Sequence, residues 1–299
     1  MAVDKLKYPL VSVIIPTYSR PNNLLRALES VLQQTYCNIE IIVVDDNGIG
    51  SEFQIQTYGI LHQYINSGLV RYIAHDINKN GSAARNTGLR NSKGKYVNFL
   101  DDDDIFFSNK IERQVEKLEK SKAAFGACYC NTIYYTKYGV QKIKSHSVGN
   151  LMEDLFIGKV RFNTSTILLR RESIDDINGF DETFERHQDW EVLVRFFRKY
   201  EITLVDDFLL GKYASLNNSL RDANRVIKYR EKFLDTFRND INCIGNTRYI
   251  YCCQYMSLAL SLLAYGNRSE GMKYLFLSFH YGFPSLISLC RACCYFVLK

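Results

Sequence analysis

The amino-acid sequence predicts an α/β protein: an open, doubly wound sheet over roughly the first 135 residues, with a helical C-terminal extension. Three observations predict it. Short β-branched apolar runs alternate with segments of helical periodicity, the β-α-β pattern of parallel strands joined by right-handed crossovers. Two of the runs end in aspartates, Asp45-Asp46 and the four residues 101–104, at the carboxyl ends where such sheets bind ligands. After about residue 218 the pattern is helical to the end.

Taken in order, Val11-Ser12-Val13-Ile14-Ile15 is a buried strand stopped by Pro16. Leu24, Leu25, Leu28, Val31 and Leu32 follow at helical spacing, and Ile41-Ile42-Val43-Val44 is a second strand ended by Asp45-Asp46-Asn47-Gly48. A helix around 55–64 leads to a third strand at 70–74, a polar loop and a helix at 83–89. Tyr96-Val97-Asn98-Phe99-Leu100 is the fourth strand and runs into the four aspartates. An amphipathic helix is expected at 109–121, a strand at 124–135, a polar loop at 137–150 and a strand at 164–169. A helix at 189–200 presents Trp190, Leu193, Val194 and Phe197 on one face, and a short strand follows at 202–205.

Composition narrows the classes. The 299 residues are 46% hydrophobic and 23% charged, an ordinary globular balance without repeats or low-complexity tracts. The net charge of +6 suits an acidic partner, phosphates or an anionic membrane face. The basic residues are scattered and form no nucleic-acid-binding signature, so no nucleic-acid partner is expected. The nine cysteines include the neighbours Cys252-Cys253 and Cys293-Cys294 and give no disulfide framework. Cys128-x-Cys130 and Cys290-x-x-Cys293 lie in apolar runs with no nearby histidine and read as buried thiols, which implies a reducing, cytosolic setting. The N-terminal segment has no apolar core of the kind a secretory signal carries.

Four consecutive aspartates repel one another unless cations or donors compensate them. In an extended segment Asp101 and Asp103 point to one side and offer hard oxygens to Mg²⁺ or Mn²⁺, which can bridge a diphosphate. Helix capping accounts for one or two acids, not four. Asp-Asp-Asn-Gly is good turn chemistry, but its place at a strand end near the other acids favours ligand contact through Asp45 and Asp46. No glycine-rich dinucleotide loop and no Gly-Lys-Ser/Thr phosphate loop is present, which leaves Arg20 and Arg85 as candidate phosphate contacts, with an ordinary surface charge as the alternative for either.

These residues resemble glycosyltransferase family 2, of the GT-A fold. The opening strand with Pro16-Thr17-Tyr18-Ser19-Arg20 is similar to that family's nucleotide loop, and Glu40-Ile41-Ile42-Val43-Val44-Asp45-Asp46 to its second strand and base-contacting aspartate. Gly81-Ser82-Ala83-Ala84-Arg85-Asn86-Thr87-Gly88 resembles its Arg-Asn helix start, and Phe99-Leu100-Asp101-Asp102-Asp103-Asp104 its D-x-D metal motif. Gly179-Phe180-Asp181-Glu182 and His187-Gln188-Asp189-Trp190 resemble its acceptor loop and the start of its aspartate-bearing helix. Six motifs in order cover about 9–210. Gln188 departs from the family's usual Glu-Asp pair, and Ser19 stands where Asn is frequent.

The resemblance implies an inverting, metal-dependent glycosyltransferase with Asp189 as general base. On the residues alone an N-cap role for Asp189 is as good. The donor is expected to be a nucleotide-sugar, UDP-linked, contacted by Pro16, Thr17, Tyr18, Arg20, Asp45, Asp46, Arg85, Asp101 and Asp102, with Asp101 and Asp103 on Mn²⁺ or Mg²⁺. The acceptor is expected to be a glycan or a polyprenyl-diphosphate-linked glycan of bacterial capsule, O-antigen or exopolysaccharide assembly. A nucleotidyltransferase lacks its glycine-rich basic loop here, and intact Asp103 and Asp189 argue against a catalytically impaired nucleotide-sugar-binding protein. The expected organisation is a catalytic domain at 1–215, with a nucleotide half at 9–135 and an acceptor half at 136–215, then the extension at 216–299. The segment 272–299 is apolar, aromatic and dotted with Lys273, Arg291 and Lys299, while Pro284 and Arg291 interrupt any spanning helix. Two readings stay open for it, helices on the membrane face or helices packed on the core; the first makes the protein peripheral on the inner face of the cell membrane.

Overall fold

A computed structural model describes residues 8–137, 139–160, 162–213 and 222–283. The chain divides into two compact units, Met1–Asn150 with Phe162–Tyr213, and Leu151–Arg161 with Ala214–Lys299.

The first unit is built on a nine-stranded sheet. Its elements are β1 (Val11–Thr17), α1 (Pro21–Leu32), β2 (Ile39–Asp45), α2 (Glu52–Asn66), β3 (Val70–Ala74), α3 (Gly81–Arg90), β4 (Tyr96–Phe99), β5 (Asp104–Phe106), α4 (Lys110–Glu119), β6 (Phe125–Thr136) and β7 (Gly139–Ile143). In the second unit a short α5 (Met152–Phe156) intervenes. The first unit then resumes with β8 (Leu168–Arg170), α6 (Arg171–Asp175), α7 (Gln188–Phe197) and β9 (Glu201–Tyr213). The strand order is β3-β2-β1-β4-β8-β6-β9-β5, with β7 paired to β6.

Strands β1, β2, β3 and β4 pair in parallel, so their carboxyl ends point the same way. The chain winds outward from β1 through β2 to β3 and then crosses to β4 on the other side of β1. That reversal makes the β1/β4 edge a topological switch point, where a crevice opens beyond the strand ends. Both faces of β1 are covered, which is why 11–15 is apolar nearly throughout rather than alternating. Val11, Val13 and Ile15 pack in a cluster with Leu24 and Leu28 of α1 and Ile111, Val115 and Leu118 of α4. On the opposite face α3 lies so close that a Cβ at Gly88 would sit 2.2 Å from Ile14 Cγ2. Only glycine permits that approach, which seats the last turns of α3 on β1.

The structure departs from the sequence expectations in four places. The stretch 137–150 is not simply a loop, because 139–143 forms β7 on β6. Residues 164–166 are a single 3₁₀ turn, and the strand starts at Leu168. The expected short strand at 202–205 is a 13-residue strand, β9, with irregular register against β6 around Asn131. Finally, 101–104 is not extended: Asp104 N–H donates to the Asp101 carbonyl at 3.0 Å, closing a turn before β5.

The second unit contains α5 and the helices α8 (Ala223–Thr236), α9 (Arg238–Ile244), α10 (Thr247–Ala264) and α11 (Arg268–Tyr281). Leu258, Ala259, Leu262 and Tyr274 form a buried cluster between α10 and α11. Gln254 and Arg230 are buried together, and the Gln254 amide donates to the Phe156 carbonyl of α5. Among the described residues no helix is long and apolar enough to cross a membrane. Pro284, Cys290, Arg291, Cys293, Cys294 and Lys299 lie outside the described residues, so the expectation for 272–299 meets the structure only over 272–283.

Candidate active site

The turn at 101–104 gathers what the sequence could only string together. Ligand oxygens of Asp101, Asp103 and Asp104 all lie within 4.8 Å of one another. Asp101 and Asp103 were the expected pair; the closed turn adds Asp104 and swings Asp102 toward β1. Asp102 Oδ2 accepts from the Thr17 hydroxyl at 2.9 Å and from Tyr18 N–H at 3.3 Å, which ties the β1 loop to the acidic turn.

Three cations hold the carboxylates in place. Arg20 Nη1 lies 3.1 Å from Asp102 Oδ1 and 2.5 Å from Asp103 Oδ2. Arg85 Nη2 donates to Asp101 Oδ1 at 2.6 Å. Lys212, on β9, reaches Asp104 at 2.9 Å and Asp101 at 4.0 Å. Burial opposes the charge on Lys212, but Asp104 and Asp101 outweigh it and keep the ammonium protonated far above its ordinary range. Burial likewise opposes ionisation of Asp101, and Arg85 with Lys212 overcomes it, holding that carboxyl below the ordinary range. Asp102 and Asp104 end the other way: desolvation pushes them up to about 6 and about 7, despite Arg20 beside the first and Lys212 beside the second. Clustered hard oxygens of this kind are the donor set that Mg²⁺ and Mn²⁺ favour, so the residues present fit a divalent cation.

Asp189 sits in the first turn of α7. It borders an apolar recess lined by Phe99, Ile167, Phe180, Val192 and Phe196. Desolvation there raises its carboxyl to about 6, against a hydrogen bond from Trp190 N–H at 3.0 Å and the field of Arg85. The neighbouring acid, Glu191, is 2% exposed and committed to Arg195, whose Nε and Nη2 donate to it at 2.5 and 2.8 Å. Arg85 links the acidic turn to α7 by donating through Nη1 to Gln188 Oε1 at 2.7 Å. Asn86 clamps the preceding loop. Its amide donates to the Phe180 carbonyl at 2.8 Å, and Phe180 N–H donates back at 2.9 Å. Gly179 is required there, with φ +67° and a would-be Cβ 2.5 Å from Asn86 Oδ1. His187 has φ 59° and stacks on Trp190 at 4.7 Å.

Of the residues singled out in the sequence, Thr17, Tyr18, Arg20, Arg85, Asp101, Asp102 and Asp103 come together through these contacts, with Pro16 preceding Thr17 in β1. Tyr18 is 52% exposed beside them. Asp45 and Asp46 are at the expected strand end and already accept from protein donors. Asp45 is 0% exposed and accepts from the Tyr72 hydroxyl at 2.7 Å and from Asn47 N–H at 2.9 Å. Asp46 lies 2.7 Å from His75 Nδ1 and accepts from Asn78 at 2.9 Å and Lys79 N–H at 2.8 Å. Lys212 and Asp104 were missed; Lys212 carries no local signal, being 108 residues from its partner. Cys128 and Cys130 are buried free thiols, pushed up by burial, the second to about 11.

Comparison with known proteins identifies the family and the fold. A family model described as Glycosyl transferase family 2 matches residues 12–177. The chain is similar to a Rickettsia bellii protein named as an uncharacterized glycosyltransferase, 34% identical over 65% of this chain, and spans 29% of that relative's length. It is 26% identical, over 71% of this chain and 79% of the relative, to the Escherichia coli UDP-Glc:alpha-D-GlcNAc-diphosphoundecaprenol beta-1,3-glucosyltransferase WfgD. Among solved structures, Staphylococcus aureus TarS 1–349 in complex with UDP-GlcNAc superposes with a TM-score of 0.59 at 16% identity, covering 96% of this chain and 80% of that one. The last likeness shows the fold, the GT-A arrangement that the motifs implied.

Proposed function

The chain belongs to glycosyl transferase family 2, and on that footing we propose that it is an inverting, metal-dependent glycosyltransferase. In this reading it moves a sugar from a UDP-sugar to a hydroxyl of a glycan or lipid-linked glycan in bacterial polysaccharide assembly. One observation carries the reading: Arg85 joins the Asp101 carboxylate to Gln188, next to Asp189, so the acidic turn and an apolar-seated carboxylate share one arginine. A donor diphosphate and an acceptor hydroxyl need such a pairing.

Asp101, Asp103 and Asp104 would hold Mn²⁺ or Mg²⁺, which when bound neutralises charge on a departing diphosphate. Arg20 and Arg85 add positive charge to the same region. Asp189 takes the acceptor proton as the hydroxyl oxygen attacks the anomeric carbon. The carbon–oxygen bond to the diphosphate breaks on the opposite face, and the configuration inverts. Pro16, Thr17, Tyr18, Asp46 and Asp102 are assigned to the nucleoside, Asp46 to the base and Asp102 to the ribose. The WfgD name supports both a UDP donor and a lipid-diphosphate acceptor. The proposed limits are 1–215 for the catalytic domain and 216–299 for the extension, with 151–161 belonging to the compact unit of the extension. Met272, Phe276 and Phe279 fall at i, i+4 and i+7 of α11, with exposures of 42, 66 and 40%, and Phe283 follows at 82%. That stripe supports peripheral contact with the membrane on its cytoplasmic face.

The test is a panel of UDP-, GDP- and dTDP-sugars, with melting temperature and turnover read with Mn²⁺ and with EDTA. UDP-sugars should stabilise the protein and be turned over only with the metal. Binding of GDP but not UDP would overturn the donor assignment; turnover in excess EDTA would overturn the metal.

A further inference from the structure

The second unit carries a cleft of its own, about 400 Å³ in volume, within the roughly 300–1,000 Å³ range of small-molecule sites. Tyr251 and Tyr255 of α10, Tyr281 at the end of α11, Glu231 and Asp235 of α8, and Arg238 of α9 line it. The helical i, i+4 spacing stacks Tyr251 on Tyr255, with centroids 5.9 Å apart and planes at 25°. Tyr281 joins them at 5.3 and 5.6 Å, inclined by 31° and 42°. Tyr251 and Tyr255 are thus stacked and Tyr281 is tilted against both, so the rings form a bank rather than a box of walls at right angles.

Around that bank stand groups that donate and groups that accept. Asp235 accepts from Arg238 at 2.6 Å, and Glu231 accepts from the Tyr274 hydroxyl at 2.7 Å. Each carboxylate has further lone pairs, and the guanidinium further N–H groups. Burial raises the Tyr255 hydroxyl to about 12, so it stays a neutral donor. A phosphate meets two carboxylates against one guanidinium here. A quaternary ammonium wants crossed aromatic walls and no cation, and it meets Arg238. A pyranose suits every feature: a C–H face to lie on a ring, and vicinal hydroxyls that both donate and accept.

We propose that the tyrosine cleft of the second unit binds a neutral sugar unit of a glycan, as a carbohydrate site additional to the acidic turn. It stands on the chemistry of the cleft alone, so nucleotide binding serves as an independent control. The experiment titrates the full chain with maltotetraose, cellotetraose and chitotetraose, by calorimetry and by ¹H line-broadening of the sugars. At least one should bind saturably. Arg238→Gln, at an exposed position, should weaken binding about tenfold, Tyr255→Ala should abolish it, and Tyr255→Phe, which keeps the ring, should hold it within about threefold. UDP should bind all variants alike. Absence of saturable binding up to about 50 mM of each sugar would overturn the proposal. So would binding unaffected by Arg238→Gln, or displacement of the sugar by tetramethylammonium.

Discussion

Asp189 offers the sharpest test of the chemistry. Its carboxyl is raised by burial from 3.8 to about 6. A base must be ionised, so activity should fall as pH drops through that value. For a single group titrating near 6, kcat/KM for the acceptor should fall about tenfold between pH 7 and pH 5. An ordinary carboxylate would leave it nearly flat over the same interval. The measurement is made at saturating donor and Mn²⁺, so that titration of Asp102 and Asp104 is silenced by occupancy. Asp189→Asn keeps the Trp190 contact and the shape, and should lose a factor of about 10² to 10⁴. Stability should move the opposite way. A carboxyl raised in the folded state stabilises below the unfolded value, and that contribution is lost as pH rises through about 6. Asp189→Asn should therefore melt no lower than wild type at pH 8. A flat rate profile from pH 5 to 8, or near-normal turnover of Asp189→Asn, would refute the assignment.

Four further outcomes are expected. Asp103→Ala should abolish turnover and the stabilisation of the UDP complex by Mn²⁺ while leaving the melting of the free protein near wild type. Lys212→Met strands the fully buried Asp104 and should cost about 3–5 kcal/mol in urea unfolding, most of it recovered in Lys212→Met with Asp104→Asn. Gln188→Glu places a second carboxylate beside Arg85 and next to Asp189, so the acid limb of the rate profile should shift to higher pH; an unchanged limb would detach Gln188 from the base. Mn²⁺ affinity, by calorimetry, should rise from pH 6 to 8 with proton release, because Asp102 and Asp104 titrate at about 6 and about 7.

What the sequence could convey depended on how local the cause was. The buried parallel strands were legible because both-sided burial writes a near-continuous apolar run, as in 11–15, where only Ser12 interrupts it, and 41–44. The acids at their ends followed at once. Asp189 was legible only through the motif around it, since its turn contact to Trp190 looks like any helix start. The edge strand β7 escaped because Val140 is exposed and the segment carries Gln141 and Lys142, the composition of a loop. Asp206 and Asp207 give β9 the look of a short strand, yet they accept from Asn131 and Arg113 rather than end it. Lys110 shows the same limit from inside the core. It is fully buried on Gln114 at 2.6 Å and over the Phe106 ring at 4.0 Å, a pairing that no periodicity announces.

Charge explains why so acidic a turn can be buried and still suit the diphosphate of the proposed donor. Asp101, Asp102, Asp103 and Asp104 face Arg20, Arg85 and Lys212, so four carboxylates set against three cations leave one net negative charge when all are ionised. That residue of charge is enough to favour a dication and too small to break the turn apart. With a dication the region becomes net positive by one, the sign that a diphosphate needs. The cations come from three different places, the β1 loop, α3 and β9, so the balance exists only in the folded sheet. Arg85 has a second bond, to Gln188, and a glutamate there would give it a second negative partner. The neutral amide leaves the arginine less compensated, and it adds no further like charge to the one that Asp101 already sets against Asp189. In the proposed mechanism the amide at position 188 thus spares Asp189 a further push toward protonation, in a pocket whose apolar lining already raises its carboxyl.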